Sequence, residues 1–501
     1  MINTNLLSAM SALGIGFTLI ISVIAVVVFA LLVWLIVKNI GEKSGSKFFK
    51  YAILAVLGAI VVRFIFALFV GGFRDDFLTY KNVIESASSG GLAEYFNESD
   101  QFTLQIFPVS YYLVLLFGNF GRALGFATTS AQLSIFIKIP FIVADALTVA
   151  LLYKIASKYI NEKVGLIIAS AYAICPVFVL CAGAYGSTVS LVIPLLIWSG
   201  YSIVNKRHFQ SMLAMGVAMI THQIAVYIFP VYAVYYVYRF VRSLIVTINA
   251  KKAGESGIKS KLCIKLPLYF LLATAIIYVI CLPVSANSIG YNPFVLIYSL
   301  FIKPLADAYY FSNNGLSLYN IFGRNAQALG SGFPVVIFIV LFCLIIVGIV
   351  SVIYFSKRNT ASVCLIVTYI LYTVITYYIG INLTDIVPVC ALLLLSYILT
   401  QDKRILVSFG LTTLATTMVM FVAMDNAVCL NMDALNTFYK TVFQITDGGG
   451  IVFLIIATLI SVISHIYMSF TVLDITVTNK RKLLSQDKNA GIANTLIGLF
   501  K

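Results

Sequence analysis

Charged side chains with the potential for chemistry concentrate in one segment that directly follows an apolar run. This segment, residues 71–101, reads GGFRDDFLTYKNVIESASSGGLAEYFNESDQ and contains Arg74, Asp75 and Asp76. A carboxylate at the point where an apolar helix meets water is suited to proton transfer, because partial desolvation raises its pKa while a nearby guanidinium lowers it. Asp75 and Asp76 are therefore the first candidates for a working site. A solvated loop just outside a membrane helix is the alternative interpretation of the same charges.

The composition of the 501-residue chain is that of a membrane protein. Hydrophobic residues make up 61% of the sequence and charged residues 10%, and the mean hydropathy is +1.02. A soluble globular chain normally has about 25% charged residues. Apolar runs of roughly 17 to 25 residues recur along the whole length, and each is sufficient to cross the membrane as a helix. We predict an all-α polytopic membrane protein with about 13 or 14 transmembrane helices.

The net charge of +15 does not indicate a nucleic-acid partner, because most Lys and Arg residues lie in short loops between apolar runs. The eight cysteines lie mostly within apolar runs and lack metal-ligand spacing, so neither a disulfide framework nor a zinc site is predicted. The sequence contains no P-loop, no dinucleotide-binding glycine motif, no H-E-x-x-H and no nucleophile elbow. ATP-driven transport and soluble-type hydrolysis are therefore unsupported.

The basic loops predict the orientation of the chain. Lysines precede the apolar run 51–70 and place its start in the cytoplasm, so residues 71–103 are expected on the outer face. A second basic loop around Lys158 is also expected in the cytoplasm. Of the two apolar runs between these loops, 104–121 and 131–153, only one can then cross fully. We expect 104–121 to be a re-entrant or tilted half-helix, unless the charge rule has an exception at this point.

Several ionisable residues fall within or beside the predicted helices. Lys138 and Asp145 are seven positions apart, hence on one face of one helix, and a site role or ion pairs with other helices fit them about equally. Arg63 either snorkels to the surface or faces a polar cavity. His222 is expected at the outer turn of a pair of short helices within 209–238, where it serves a site or simply satisfies hydrogen bonds.

A second large external segment, residues 286–333, combines amides and aromatic rings in the stretch YYFSNNGLSLYN from Tyr309 to Asn320. Amides beside aromatic faces suit sugar hydroxyls and rings. The same composition is also typical of an interfacial aromatic belt. Composition alone leaves both interpretations open.

Four local sequence patterns follow one another along the chain. They are Asp76 followed by Tyr80 and then Tyr95-Phe96, the entry Phe107-Pro108-Val109-Ser110-Tyr111, Lys138-Ile139-Pro140 with Asp145, and the stretch Asn313-Asn314-Gly315-Leu316-Ser317-Leu318-Tyr319-Asn320. Together, over residues 50–400, they resemble the GT-C superfamily of membrane glycosyltransferases, which includes the protein O-mannosyltransferases and the aminoarabinose transferases of lipid A. Two motifs depart from that family. Tyr185-Gly186-Ser187 stands where many relatives have Trp-Gly-Gln, and Asn382-Leu383-Thr384-Asp385 stands where relatives often have His-Glu-Arg-Tyr.

The resemblance implies a GT-C-like helical bundle whose external loops carry short helices. Its expected parts are an extra N-terminal helix with a cytoplasmic loop (1–50), a catalytic membrane module that includes external loops 71–103 and 286–333 (51–400), C-terminal transmembrane helices (401–479), and a basic cytoplasmic tail (480–501). The first apolar run, about residues 15–37, is expected to be a retained helix rather than a signal peptide. The protein is expected in the cell membrane with its active site on the outer face.

By this resemblance the protein is an inverting glycosyltransferase that uses a polyprenyl-phosphate sugar as donor and no cofactor, and involvement of a metal ion is left open. Asp76 is the expected general base on the acceptor hydroxyl, and Asp75 is its alternate or electrostatic partner. Cations are expected near the departing phosphate. The expected substrate-binding residues are Arg74, Tyr80, Lys138, His222, Asn313, Asn314, Asn320 and Arg324. The expected partners are the lipid-linked donor, membrane lipids and a glycan, lipid or protein acceptor, with no nucleic acid.

Two other functions stay open at this point. A membrane glycan polymerase that joins lipid-linked oligosaccharides would also work on the outer face but would use a pyrophosphate-linked donor. A transporter or flippase of lipid-linked sugars would need a polar pathway at mid-membrane and often shows inverted repeats. Only Lys138 and Asp145 favour the transporter.

Overall fold

A computed structural model describes the chain between residues 47 and 478, with gaps. The described residues are 47–89, 95, 106–126, 131–252, 261–285, 311–325, 327–329, 342, 346, 360–423, 427–429 and 447–478. The predicted helix at 15–37, nearly all of the run at 334–356 and the basic tail at 480–501 lie outside these residues.

The first half of the described chain is almost entirely helical. Its elements are α1 (Lys47–Phe69), β1 (Val70–Phe73), α2 (Arg74–Ser89), α3 (Pro108–Ala123), α4 (Ala131–Tyr159), α5 (Glu162–Ile174), α6 (Pro176–Val179), α7 (Val189–Val204), α8 (His208–Met219), α9 (Phe229–Lys252) and α10 (Lys261–Ser285). Helix α6 continues into a six-residue π-helix, Leu180–Tyr185, which we call the π-turn. A 3₁₀ helix, Gln223–Ile228, joins the α8 end to α9.

The second half adds four long helices and short pieces of strand. The elements are β2 (Ser312–Asn313), a 3₁₀ helix (Leu318–Phe322), α11 (Thr360–Tyr377), β3 (Ile381–Asn382), a 3₁₀ helix (Leu383–Ile386), α12 (Val387–Thr400), α13 (Arg404–Ala423), β4 (Ala427–Cys429), α14 (Asp447–Leu473) and a terminal π-helix (Asp474–Thr478). Strand β1 pairs with β4 in an antiparallel manner, and β2 pairs with β3 in parallel.

Seven helical segments of the described chain are long and apolar enough to cross a membrane, or eight if a bent pair counts as one. The seven are Phe48–Phe69, Leu133–Tyr159, Gln223–Ala250, Ile264–Ser285, Leu383–Thr400, Arg404–Ala423 and Ile451–Thr476. The prediction of an all-α, multi-pass membrane protein is therefore confirmed. The total of 13 or 14 helices stays a prediction, because some of the predicted runs lie outside the described residues.

The external loop 71–103 was expected to carry a short helix, and its start forms the 16-residue α2, because Phe77, Tyr80 and Ile84 recur at helical spacing and give this polar stretch an apolar face. The seven Lys and Arg residues within 239–265 predict a cytoplasmic loop there, but the first part of this stretch continues α9 as far as Lys252. That stretch contains neither Gly nor Pro before Gly254, so nothing in it ends the helix earlier.

Helix α3 has 16 residues and is therefore about 24 Å long, shorter than a hydrocarbon core of roughly 30 Å. Its length agrees with the expected half-helix. Helix α5 ends just before Pro176, because proline lacks the N–H needed to continue the ladder and disfavours helical geometry at the preceding residue. The segments before and after this break are bent by 53°.

Helix α4 is the centre of the first half, where it packs on α1, α3, α5 and α7. In the second half α13 packs on α14 and α11 on α12. Helix α7 connects the halves through α12. It begins beside the π-turn and ends near Lys158, the last basic residue of α4, so its two ends mark the two ends of the bundle.

Candidate functional site

Helix α2 places Asp76 at the end of α1, next to the π-turn. Its apolar face is buried, whereas Asp76 itself is partly exposed. The Tyr80 hydroxyl, one turn further along, donates a hydrogen bond of 2.8 Å to the Gly186 carbonyl. Burial and the nearby Asp76 charge raise the pKa of Tyr80 well above its usual value. Arg74 and Asp75 lie in the first turn of α2, but their side chains are outside the described part of the structure.

Lys138 is fully buried in α4 and donates to three backbone carbonyls. The acceptors are the carbonyl oxygens of Val70, Gly183 (3.1 Å) and Ala184 (2.7 Å). An ammonium group has three N–H donors, so these contacts use all of them. Lys138 therefore joins the end of α1 to the π-turn and contributes its charge, rather than an open donor, to its surroundings.

A small recess lies beside Lys138. Its lining residues come from β1, α2, α4 and the π-turn and are Gly71, Gly72, Phe77, Tyr80, Ser134, Ile137, Lys138 and Tyr185. Gly72 has a φ of +139°, and a Cβ at this position would lie 3.3 Å from the Tyr185 carbonyl oxygen. A close approach of β1 to the π-turn therefore shapes the recess.

The π-turn packs on α1, β1 and α4. A Cβ on Gly183 would lie 2.6 Å from the Arg63 carbonyl oxygen, so the turn lies directly on the backbone of α1. Gly186 follows with a φ of +64°, and a Cβ there would lie 2.8 Å from Cγ of Lys138. The Tyr185 hydroxyl donates to the Met420 carbonyl on α13. Short π-helices inside longer helices are frequent at functional sites.

Arg63 faces the protein interior and pairs with Asp145. Its Nε donates to Oδ2 of Asp145, and its Nη1 donates to the carbonyl oxygens of Ala59 (3.2 Å) and Ala173 (2.8 Å). The Tyr172 hydroxyl donates to the second Asp145 oxygen at 2.5 Å. Asp145 thus forms an ion pair with another helix, one of the two roles left open by the sequence. Lys138 and Asp145 are each engaged in interior contacts, so the feature that favoured a transporter is otherwise explained.

The amides of the second external segment mainly hold that segment together. Asn314 accepts from Nδ2 of Asn325 at 2.8 Å, and its backbone N–H donates to Oδ1 of Asn325 at 2.9 Å. Nδ2 of Asn313 donates to Oδ1 of Asn382 at 3.3 Å, which joins the segment to the start of α12. Asn314 has a φ of +54°, a left-handed conformation that asparagine tolerates.

Asn320 and Arg324 differ in their exposure. Asn320 is buried and its Nδ2 donates to the Gly315 carbonyl and to Oγ1 of Thr458 (3.3 Å). Arg324 is exposed, donates to Oε1 of Gln327 at 2.9 Å and lies over the Phe311 ring at 5.9 Å. No contact within the described residues joins Arg324 to the recess.

His222 lies at the turn between α8 and the 3₁₀ helix, where a turn was predicted. Its Nδ1 accepts a hydrogen bond of 3.2 Å from the Ile224 N–H, and its ring stacks on Phe107 with 6.2 Å between ring centres. Burial lowers the pKa of His222 to about 4, so the ring is neutral at pH 7. These contacts show a helix-capping residue that also packs on the entry to α3.

The predicted site residues thus lie in three separate regions. Asp76, Tyr80 and Lys138 meet beside the π-turn, the asparagines and Arg324 lie in the second external segment, and His222 caps a helix. Sequence reasoning missed Ser187 and Thr384, whose hydroxyls are 3.3 Å apart and connect the π-turn end with the start of α12. Both belong to the two motifs that depart from the GT-C pattern, which was the available signal. Among the described residues no group of three or more His, Cys, Asp or Glu side chains could hold a metal ion.

No protein-family model and no curated protein matches this sequence. The solved structures that are similar to it include two of one protein. The crystal structure of ArnT from Cupriavidus metallidurans bound to undecaprenyl phosphate shares 14% sequence identity, covers 85% of this chain and 77% of its own, and has a TM-score of 0.40. The apo state of the same protein shares 12% identity, covers 86% and 78%, and has a TM-score of 0.38.

Proposed function

We propose that this protein is an inverting glycosyltransferase that moves a sugar from a polyprenyl phosphate to an acceptor hydroxyl at the outer face of the membrane. The observation that carries the proposal is the position of Asp76. A partly exposed carboxylate lies on an amphipathic helix at the end of a membrane-spanning helix, beside a recess lined by Tyr80 and Lys138. The donor's lipid chain can remain in the membrane while its sugar meets a hydroxyl that arrives from the water side.

Asp76 is the proposed general base. It removes the proton from the acceptor hydroxyl as that oxygen forms a bond to the anomeric carbon of the donor. The bond between the anomeric carbon and the phosphate oxygen breaks at the same time, and the phosphate leaves with the electron pair. Within the described part of the chain Lys138 donates to backbone carbonyls alone, so its proposed part is to stabilise the developing negative charge through its field.

The remaining predicted residues have proposed supporting roles. Asp75 and Arg74, in the same turn of α2 as Asp76, are proposed to tune its charge and to meet the donor phosphate. The second external segment, with Asn313, Asn314, Asn320 and Arg324, is proposed to bind the sugar or the acceptor. It reaches the π-turn through the contact between Asn313 and Asn382 and the hydroxyl pair that follows at Thr384.

Substitution of one carboxylate tests the proposal. The purified full chain is reconstituted in liposomes, and transfer is measured with polyprenyl-monophosphate sugars and, separately, with a pyrophosphate-linked oligosaccharide. Asp76→Asn is expected to lower the transfer rate by about 10²- to 10⁴-fold, the usual contribution of a general base, without change in the unfolding temperature. Glu85→Gln is the matched control, because Glu85 is an exposed carboxylate on the same helix.

Retained transfer by Asp76→Asn would remove Asp76 from the mechanism. Wild-type activity with the pyrophosphate donor alone would favour the glycan polymerase instead. A wild-type protein that uses neither donor would reject the proposed function.

A further inference from the structure

A group of basic side chains lies at the end of the bundle opposite α2, around the turn between α7 and α8. His208, the first residue of α8, is only 5% exposed, and its Nδ1 has no hydrogen-bond partner among the described residues. Lys206, two residues earlier, has a left-handed φ of 59° and an exposed side chain. The turn therefore presents a buried imidazole directly beside an exposed cation.

Arg239 of α9 lies beside this turn. Its Nε is buried and also has no hydrogen-bond partner among the described residues. The His208 ring lies 6.4 Å from the ring of Tyr235 and 5.9 Å from that of Tyr236, which places it one turn from Arg239 on α9. Burial and the charges of Arg239 and Lys206 lower the pKa of His208 to about 4. The imidazole is therefore a neutral donor next to two positive charges.

The described helices packed around this positive group contain no carboxylate to balance it. The sequence contains no Asp or Glu between Glu162 and Glu255, so α7, α8 and α9 carry none. Helix α10 packs on both α8 and α9, helix α11 packs on α9, and neither contains an acidic residue. A buried polar group without a partner is costly, and a buried charge without a counter-charge is more so. The favourable arrangement is one in which an anion from outside the chain occupies this place.

The backbone of α8 adds to the positive electrostatic potential at this turn. Its N-cap residue, Arg207, makes no capping hydrogen bond with its side chain. The first N–H groups of a helix carry a partial positive charge and attract phosphate groups. The unpartnered Nδ1 of His208 lies in this first turn, so two independent features favour an anion at one position.

The surface of α9 indicates that the anion comes from the membrane. Val246, two turns after Arg239 on the same face of this helix, is apolar and 48% exposed. A soluble phosphate gains nothing from such a surface, whereas the acyl chains of a lipid can lie along it. The basic turn is expected at the cytoplasmic side, where anionic lipids concentrate.

We propose that the phosphate group of an anionic phospholipid binds at this turn, held by Nδ1–H of His208, Nε–H of Arg239 and the ammonium group of Lys206, with its acyl chains along α9. The lipid supplies the counter-charge that the described helices around this turn lack, and it joins α8 to α9 at the membrane surface. This site is separate from the recess beside Asp76 and does not depend on the proposed transfer reaction.

The pKa values of the three histidines of the chain can be measured to test this lipid site. The full protein, with isotope-labelled histidine, is placed in nanodiscs of phosphatidylcholine alone or mixed with phosphatidylglycerol, and the three ring signals are titrated by NMR. His208→Gln assigns the His208 signal. Phosphatidylglycerol is expected to raise the pKa of His208 from about 4, because a phosphate favours the imidazolium form, while the pKa values of His222 and His465 stay unchanged.

Lipid binding by two arginine variants gives the second measurement. Arg239→Gln is expected to weaken phosphatidylglycerol binding by about tenfold, the size of one lost charge-assisted hydrogen bond. Arg242→Gln removes an equal charge less than one turn away on the same helix, from an exposed side chain, and is expected to change binding by about twofold or less. Native mass spectrometry of the retained lipid reports both.

Equal losses in the two variants would overturn the proposal, because they would show general attraction to a basic surface. A His208 pKa that is the same in both lipid mixtures would also overturn it. Inorganic phosphate that raises the pKa of His208 in phosphatidylcholine as much as phosphatidylglycerol does would overturn the lipid as the ligand.

Discussion

The two ends of the helical bundle differ in the partners of their buried basic side chains. Beside the π-turn, Lys138 donates to three backbone carbonyls and Arg63 pairs with Asp145. At the other end, Nε of Arg239 and Nδ1 of His208 are buried without partners among the described residues. In the first region the chain supplies acceptors for Lys138 and a counter-charge for Arg63, although Nη2 of Arg63 also has no partner among the described residues. In the second region the described residues supply no partner for Nε of Arg239 or Nδ1 of His208.

The largest effect on this comparison is expected when the counter-charge of Arg63 is removed from the first region. Asp145→Leu leaves Arg63 buried without a counter-charge, and the free energy of unfolding is expected to fall by about 3 to 5 kcal/mol. Thermal or denaturant unfolding in detergent measures the loss. Glu85→Gln is the control, because it breaks an exposed pair with Lys81 at 3.9 Å and is expected to cost about 0.5 kcal/mol or less.

A loss near that of the control would mean that Arg63 finds water or another partner, and the region would then be less closed than its contacts indicate. The double variant Arg63→Met with Asp145→Leu distinguishes charge from shape. It is expected to recover most of the loss, because an apolar replacement of both partners is often near neutral.

A second substitution tests the close contact between Gly186 and the side chain of Lys138. Gly186→Ala introduces a Cβ 2.8 Å from Cγ of Lys138 at a φ of +64°. Gly323→Ala is the matched control, since Gly323 has a φ of +68° and no atom within 4 Å of its added Cβ. Both variants are expected to lose about 1 to 2 kcal/mol for the left-handed backbone, and only Gly186→Ala to lose more. Unfolding measurements on both variants compare them, and equal losses would contradict the tight contact with Lys138.

The last comparison uses acid. Histidines with folded pKa values near 4, His208 and His222, bind fewer protons when folded than when unfolded between pH 6.5 and 4. The part of the free energy of unfolding that these two histidines contribute should therefore fall as the pH falls through this window and stay constant above it. Unfolding temperatures across this pH range measure the effect. Anionic lipid should reduce the His208 part of it and leave the His222 part, which His222→Gln removes.

The helical class and the membrane setting could be predicted because each transmembrane helix repeats the same signal over about 20 residues. The turn at His222 was also visible in the sequence. The bounds of α2 within the external loop were not predicted, because its apolar positions are spaced among charges that are typical of a loop. Interrupted apolar periodicity is a weak signal beside the strong ones that surround it.

The partners within the site could not be predicted in the same way. Asp145 was compared with Lys138, seven positions away, whereas its partner Arg63 is 82 positions away on another helix. Only the packing of α1 on α4 decides that choice. The π-turn was similarly hidden, because the sequence shows the proline that starts the bend but not the hydrogen-bond pattern that follows it.

The π-turn also makes this protein sensitive to the number of residues between Pro176 and α7. A helix advances by about 100° per residue, so the loss of one residue from Leu180–Tyr185 would rotate everything after it by that angle relative to α5. The carbonyl groups that now surround a buried ammonium would then face lipid or neighbouring side chains. Insertions and deletions at this position should therefore be selected against even where single substitutions are accepted.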